Sequence, residues 1–205
     1  MHRALAMLAV GLVGAGALVV CGCSGGKGGA TVGFSQIGAE SAWRTAETQS
    51  IREEAQKRGV TLKFSDAQQK QENQIKALKG FIAQKVDAII LAPVVETGWE
   101  PVLREAKRAG IPVVLVDRGV KVSDESLYAT LIASDFVAEG RMAGEWLAKK
   151  MGGKGYMVEL QGTTGSAPAN DRKRGFEQAI GARRVGNHDD ADPIPHGFCP
   201  LADVL

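Results

Sequence analysis

What most constrains this chain is an alternation of short apolar runs and helical stretches that recurs about every 25 to 30 residues. Strands are predicted over Thr31–Gln36, Val60–Ser65, Val86–Leu91, Gly110–Asp117 and Gly155–Gln161. Helices are predicted over Ser41–Arg58, Gln71–Lys85, Trp99–Ala109, Phe136–Met151 and Ala169–Ile180. In the second of these, Ile75, Leu78 and Ile82 fall on one face at helical spacing. Residues 88–92 and 113–116 are continuously apolar, as strands covered on both faces are. Units of this kind pair in parallel through right-handed crossovers, so the expected fold is α/β with an open doubly wound sheet.

In such a sheet ligands sit beyond the carboxyl ends of the strands. Here those ends are 35–40, 66–69, 92–94, 117–119 and 161–164. They are rich in hydroxyl, amide, carboxylate and guanidinium groups and contain no histidine, which suits a ligand bearing many hydroxyls.

Composition narrows the function further. A chain of 205 residues that is 44% hydrophobic and 23% charged is a folded protein of one domain, or one and a part. With 25 Lys+Arg against 23 Asp+Glu, it lacks the basic excess of a nucleic-acid binder. No strand leads into a lysine-bearing phosphate loop or a GxGxxG turn, so no nucleotide cofactor is expected. No HExxH or Cys-x-x-Cys occurs, so no metal is expected. The segment Gly33–Gly38 is one residue too long for a nucleophile elbow. Only His188 and His196 could serve such a serine as base, and both lie in a tail that reads as disordered. Glu40 and Asp117 could be paired catalytic carboxylates, but they read better as hydrogen-bond acceptors for a ligand. The chain is therefore not expected to be an enzyme.

The amino terminus reads as an export signal. A basic start at Met1-His2-Arg3 precedes an apolar run from Ala4 to Val20. The following Val20–Ser24 resembles a lipobox, with Cys23 after the small Gly22 as the lipidation site. An uncleaved anchor, or cleavage without a lipid, is the alternative. Residues 1–23 are thus assigned as the signal and 24–30 as a flexible tether.

The stretches Gly33–Arg44, Gln68–Ala77, Ala92–Val102, Val116–Arg118, Leu127–Tyr128, Glu159–Thr163 and Asp171–Phe176 carry a resemblance. They resemble the periplasmic sugar-binding proteins of ABC importers, of the ribose/galactose type, and in particular the galactofuranose-binding branch. The resemblance implies the periplasmic binding protein-like I fold, two lobes that close over a sugar by hinge motion. It implies a monomeric receptor, exported to the periplasm and cell envelope, that hands a monosaccharide to an ABC permease.

The resemblance also implies a site. Asp117 would accept from sugar hydroxyls and Arg118 would donate to hydroxyl or ring oxygen. Arg172 would be the arginine contributed by the second lobe. Glu40 and Trp43 fall where the family places contacts, with the indole covering an apolar sugar face. Ser35 and Gln36 complete the candidates. Trp99 fits either the site or the core, Trp146 is expected in the core, and the charged mixture of the helix over 41–58 is expected to be a solvated face.

The resemblance implies a first lobe over 31–132, nearly complete, and the start of a second over 133–180. Residues 181–205 show no period and nothing of the family, so the second lobe is expected to be incomplete through a frameshift or premature stop, with a genuine short tail as the alternative. Such a chain is expected to fold poorly or bind weakly, and micromolar affinity for a sugar would refute that expectation. Two other functions remain open: a sugar sensor for a chemotaxis or kinase partner, and an exported α/β sugar-processing hydrolase.

Overall fold

The computed structural model describes residues 29–153, 156–181 and 198–200. The proposed signal, Cys23, the tether to residue 28 and most of the tail lie outside the described residues.

Strands β1 (Thr31–Gln36), β2 (Thr61–Asp66), β3 (Ala88–Leu91), β4 (Val113–Val116) and β5 (Thr130–Ile132) form one wholly parallel sheet in the order β2-β1-β3-β4-β5. This is the doubly wound α/β architecture expected from the repeat. Strand order reverses at β1, which puts the ligand crevice at the carboxyl ends of β1 and β3. Helices α1 (Ala42–Lys57), α2 (Gln71–Ala83) and α3 (Glu100–Arg108) are the crossovers. Because α1 leads the chain one way along the sheet and α2 and α3 lead it the other, right-handed connections put α1 opposite the other two.

The core lies beneath α2 and α3. Leu78 and Phe81 of α2, and Val102, Leu103 and Ala106 of α3, pack with Ile89 and Leu91 of β3 and Val113 and Leu115 of β4. Each fully buried Leu or Ile contributes about 1.5–3 kcal/mol of apolar burial. Pro101 lies in the first turn of α3, where its missing N–H costs nothing. Trp99 is fully buried in this cluster and donates its indole N–H to the Val95 carbonyl at 2.6 Å, which settles it as core.

One strand of this sheet escapes the sequence pattern. β5 is three residues long with its side chains exposed, so it carries neither an apolar run nor an alternation. Its evidence lies in backbone bonding: Ala129 N–H donates to Val113 O at 2.7 Å and Asp117 N–H to Ile132 O at 2.8 Å.

Beyond Ile132 the chain forms α4 (Phe136–Lys150), β6 (Tyr156–Val158) and α5 (Ala167–Gly181). A strand β7 (Phe198–Pro200), in a segment whose sequence shows no period, pairs antiparallel with β6. α4 and α5 approach until a Cβ at Gly140 would collide with the Arg172 carbonyl and one at Gly175 with the Val137 carbonyl. The buried stripe of α4 is Phe136, Gly140, Gly144 and Ala148. Trp146 lies off that stripe and is 64% exposed, not core as its mid-helix position suggested. Glycine and alanine, rather than the bulkiest side chain, define the contact face of this helix.

Candidate functional site

A cavity of about 360 Å³ opens between the carboxyl edge of the sheet and the α4/α5 pair, a volume in the range of small-ligand sites. Glu40, Trp43, Arg44, Asp117 and Arg118 line it from the sheet side; Phe136, Glu139, Pro168 and Arg172 line it from the other. Three carboxylates face three guanidiniums, so the wall is polar but electrically balanced.

Each position follows from local structure. Ser41 caps α1 by accepting from Arg44 N–H at 3.3 Å, which places Trp43 and Arg44 in the first turn over the β1 terminus. Trp43 stays 63% exposed, its indole forming part of the cavity wall. Asp117 follows β4 directly with φ of 61°, and Arg118 N–H donates back to Val116 O at 2.6 Å. This three-residue turn holds a non-glycine residue in the left-handed region, a conformation that costs on the order of 1–3 kcal/mol and turns the carboxylate off the strand axis.

Arg44 organises the charges. It is only 3% exposed, and its Nη2 donates to Asp117 at 2.5 Å, its Nη1 to Glu47 at 2.8 Å, with Glu40 at 3.4 Å from Nε. Burial disfavours the charged form, yet the adjoining Asp117 and Glu47 carboxylates hold the guanidinium above the ordinary arginine range. Arg118 goes the other way. Burial first, then the Arg44 charge, lower its guanidinium below that range against the pull of Asp117 and Glu40. Arg118 Nη1 donates to Val94 O at 3.3 Å, while its buried Nε makes no hydrogen bond among the described residues and lies 3.5 Å from Asp117. The partly exposed remainder of the guanidinium, not this covered Nε, is what a ligand oxygen in the cavity could meet. Across the cavity, Arg172 Nε donates to Glu139 at 2.8 Å and its guanidinium lies 4.5 Å from the Phe136 ring centroid.

The structure therefore brings Glu40, Trp43, Asp117, Arg118 and Arg172 to one cavity, the first four on the sheet side and Arg172 across from them. It does not bring Ser35 and Gln36 there. Both are fully buried; Gln36 donates to Glu47 at 2.9 Å and Thr48 at 3.1 Å and accepts from Ile37 N–H at 2.9 Å. Gln36 supports the carboxylate that supports Arg44, so it acts behind the wall. Arg44 itself was missed, because α1 was expected to be a solvated face. The available signal was Glu47 three residues after Arg44 on the helix and Glu40 just before its cap, which bring two acids to one arginine. Among the described residues no group of three or more His, Cys, Asp or Glu side chains is placed to hold a metal ion.

Comparison with known proteins identifies the family and the fold. A family model described as periplasmic binding protein domain matches residues 32–193. Galactofuranose-binding protein YtfQ of Escherichia coli (strain K12) is 60% identical over 151 residues, which is 73% of this chain and 48% of that protein. The crystal structure of a galactofuranose binding protein is 59% identical and superposes with a TM-score of 0.72, covering 75% of this chain and 52% of that one. The binding protein of the arabinose ABC transporter from Shewanella sp. ANA-3, solved bound to α- and β-L-arabinofuranose, is 61% identical with a TM-score of 0.69 and coverage of 74% and 50%. The chain thus spans about half the length of the relatives it matches.

Proposed function

We propose a function from one premise: this chain belongs to the family of periplasmic binding protein domains. Its cavity captures a neutral monosaccharide in the furanose form, galactofuranose or a closely related sugar, for delivery to an ABC permease. The observation that carries this reading is the wall itself. Asp117 offers acceptors and Arg118 donors on one side, Arg172 offers donors on the other, and an exposed indole at Trp43 can cover an apolar ring face. The balanced charge favours a polyhydroxylated neutral ligand over an anion, since an acid would meet Glu40, Asp117 and Glu139. Support for the ring form comes from relatives whose names specify a furanose ligand. In this reading the protein works as a monomer in the periplasm, tethered through a lipid on Cys23, and returns its sugar chemically unchanged.

The test is titration of the 205-residue chain with galactose and arabinose, followed by Trp43 fluorescence and by calorimetry, with the sugar recovered and analysed. A saturable signal with unchanged sugar is expected. Asp117→Ala or Arg118→Ala should each weaken binding about 10- to 100-fold, the loss of a hydrogen bond to a charged group. Hydrolysed or rearranged sugar, or no saturation at millimolar concentration, would overturn the reading.

A further inference from the structure

We propose that Gln74 is a positioning residue for the cleft, acting through the loop over 92–99 on Arg118 and on the segment that precedes α5. Gln74 lies in the first turn of α2, is fully buried, and touches no cavity wall. A buried primary amide must have its donors and acceptor satisfied, and the partners it has found are informative. Its Nε2 donates to Ala92 O at 2.7 Å and reaches Ser35 O at 3.5 Å, while its Oε1 accepts from Val94 N–H at 2.9 Å. These groups stand where β1 and β3 end, just past the last backbone rung between them, Ala92 N–H to Ser35 O at 3.1 Å. The side chain thus continues the sheet's bonding for two residues beyond the sheet.

What it fixes is a loop without regular structure, several of whose backbone groups bond to other parts of the chain. Val94 O accepts from Arg118 Nη1 at 3.3 Å. Val95 O accepts from the Trp99 indole at 2.6 Å, and Glu96 O accepts from Lys121 N–H at 2.5 Å. Glu96 N–H donates at 2.9 Å to the carbonyl of Gly165, beyond the first sheet, and Val95 lies against the same glycine. Consecutive residues therefore hold the ligand-facing guanidinium and the opposite side of the cleft. A shift at Val94 is transmitted to both within two residues, because the peptide units between them are stiff. An apolar side chain of equal volume at 74 would fill the space but release Val94 N–H and Ala92 O.

Gln74→Met is the test, read in the full chain by amide hydrogen exchange at Glu96, by the Arg118 side-chain Nε resonance, and by sugar titration. Exchange at Glu96 should accelerate about tenfold and the Arg118 resonance should move, with Val113 and Leu115 of β4 within about twofold of the parent. Gln74→Glu at pH 5 should restore both, since burial keeps the acid neutral and able to donate and accept. If Gln74→Met does not fold, the same amides are read in Gln74→Asn, which is one methylene too short to reach both partners. Equal loosening of β4 and the loop would make Gln74 a stability residue and overturn the proposal, as would an unmoved Glu96 amide and Arg118 resonance. The sugar arm rests on the proposed function and should show Kd rising about tenfold. A parent chain that binds no sugar defeats that function alone, and the amide and Arg118 readouts still decide Gln74.

Discussion

The two sides of the cleft are built from the same strand-helix units and hold together differently. On the sheet side, five parallel strands give α2 and α3 a continuous apolar floor, and thirteen buried residues form a single cluster. On the other side, two helices meet directly through Gly140, Gly144 and Gly175, with a small cluster of Ala148 and Ile180 backed by Met151, Met157 and Phe176. Met142 and Trp146 remain exposed there. The first arrangement derives its stability from buried volume, the second from close backbone approach. Dispersion at a short interhelical distance depends on shape more than on area, so the second side should be sensitive to single atoms and indifferent to large exposed side chains.

The largest effect should come from the charged centre that the first side carries. Arg44→Leu leaves Asp117 and Glu47 without their shared cation, and breaking a buried pair of this kind costs about 3–5 kcal/mol. A drop of that size in denaturant unfolding, together with loss of sugar binding, is expected. A loss under about 1 kcal/mol would mean that the pair is solvated.

Next come substitutions that set the two sides against each other. Leu103→Ala empties a fully buried site in the main cluster and should cost about 2–5 kcal/mol by chemical denaturation. Gly140→Ala adds one methyl against the Arg172 carbonyl and should cost about 1–3 kcal/mol. Its exchange signature should be confined to α4 and α5, with the Arg172–Glu139 contact displaced and sugar affinity lowered. Loosening of β3 and β4 by Gly140→Ala would show that the two sides unfold as one unit.

A smaller effect is expected from acid. Hydrogen bonds from Arg104 first, and from Ser123, hold the Glu100 carboxyl below its ordinary range; bonds from Ser126 first do the same for Asp124. A depressed folded-state value means stability that is present above the unfolded carboxyl pKa and lost as pH falls through the folded value. The connection between α3 and the 3₁₀ turn Glu125–Leu127 should therefore loosen below about pH 4. Both carboxyls are at the surface, so the loss should be modest and should disappear in high salt. Trp146→Ala, last in size, should change stability by under about 0.5 kcal/mol. A larger loss would show that the indole is covered in solution.

The difference between the two sides also marks how far the sequence could be read. The main sheet was legible because β3 and β4 are continuous apolar runs between helices of period 3.6, a pattern with few other uses. β5 was not, since its three exposed residues are held by main-chain bonds to Val113 and from Asp117 that any residue can make. Trp146 was misread because periodicity identifies an apolar residue without saying which stripe of a helix meets a partner. Glycine spacing along α4 was the better guide to its contact face. For the site, Asp117 and Arg118 stood out at a strand end. Arg44 did not, because a charge in the first turn of an exposed helix is normally solvated and its burial depends on an acid 73 residues away.

By itself, then, the sequence determined the alternation of strands and helices, the sheet edge at which the cavity opens, and the polar residue types that line it there. Those are consequences of local pattern and of the right-handed crossover. Only the tertiary structure decided that Gln36 stands behind the wall while Arg44 joins three acids, that Gln74 extends the sheet into the loop holding Arg118, and that glycines bring α5 close enough for Arg172 to face Asp117 across the cavity. Each of these depends on distances between segments far apart in the chain, which side-chain periodicity does not encode.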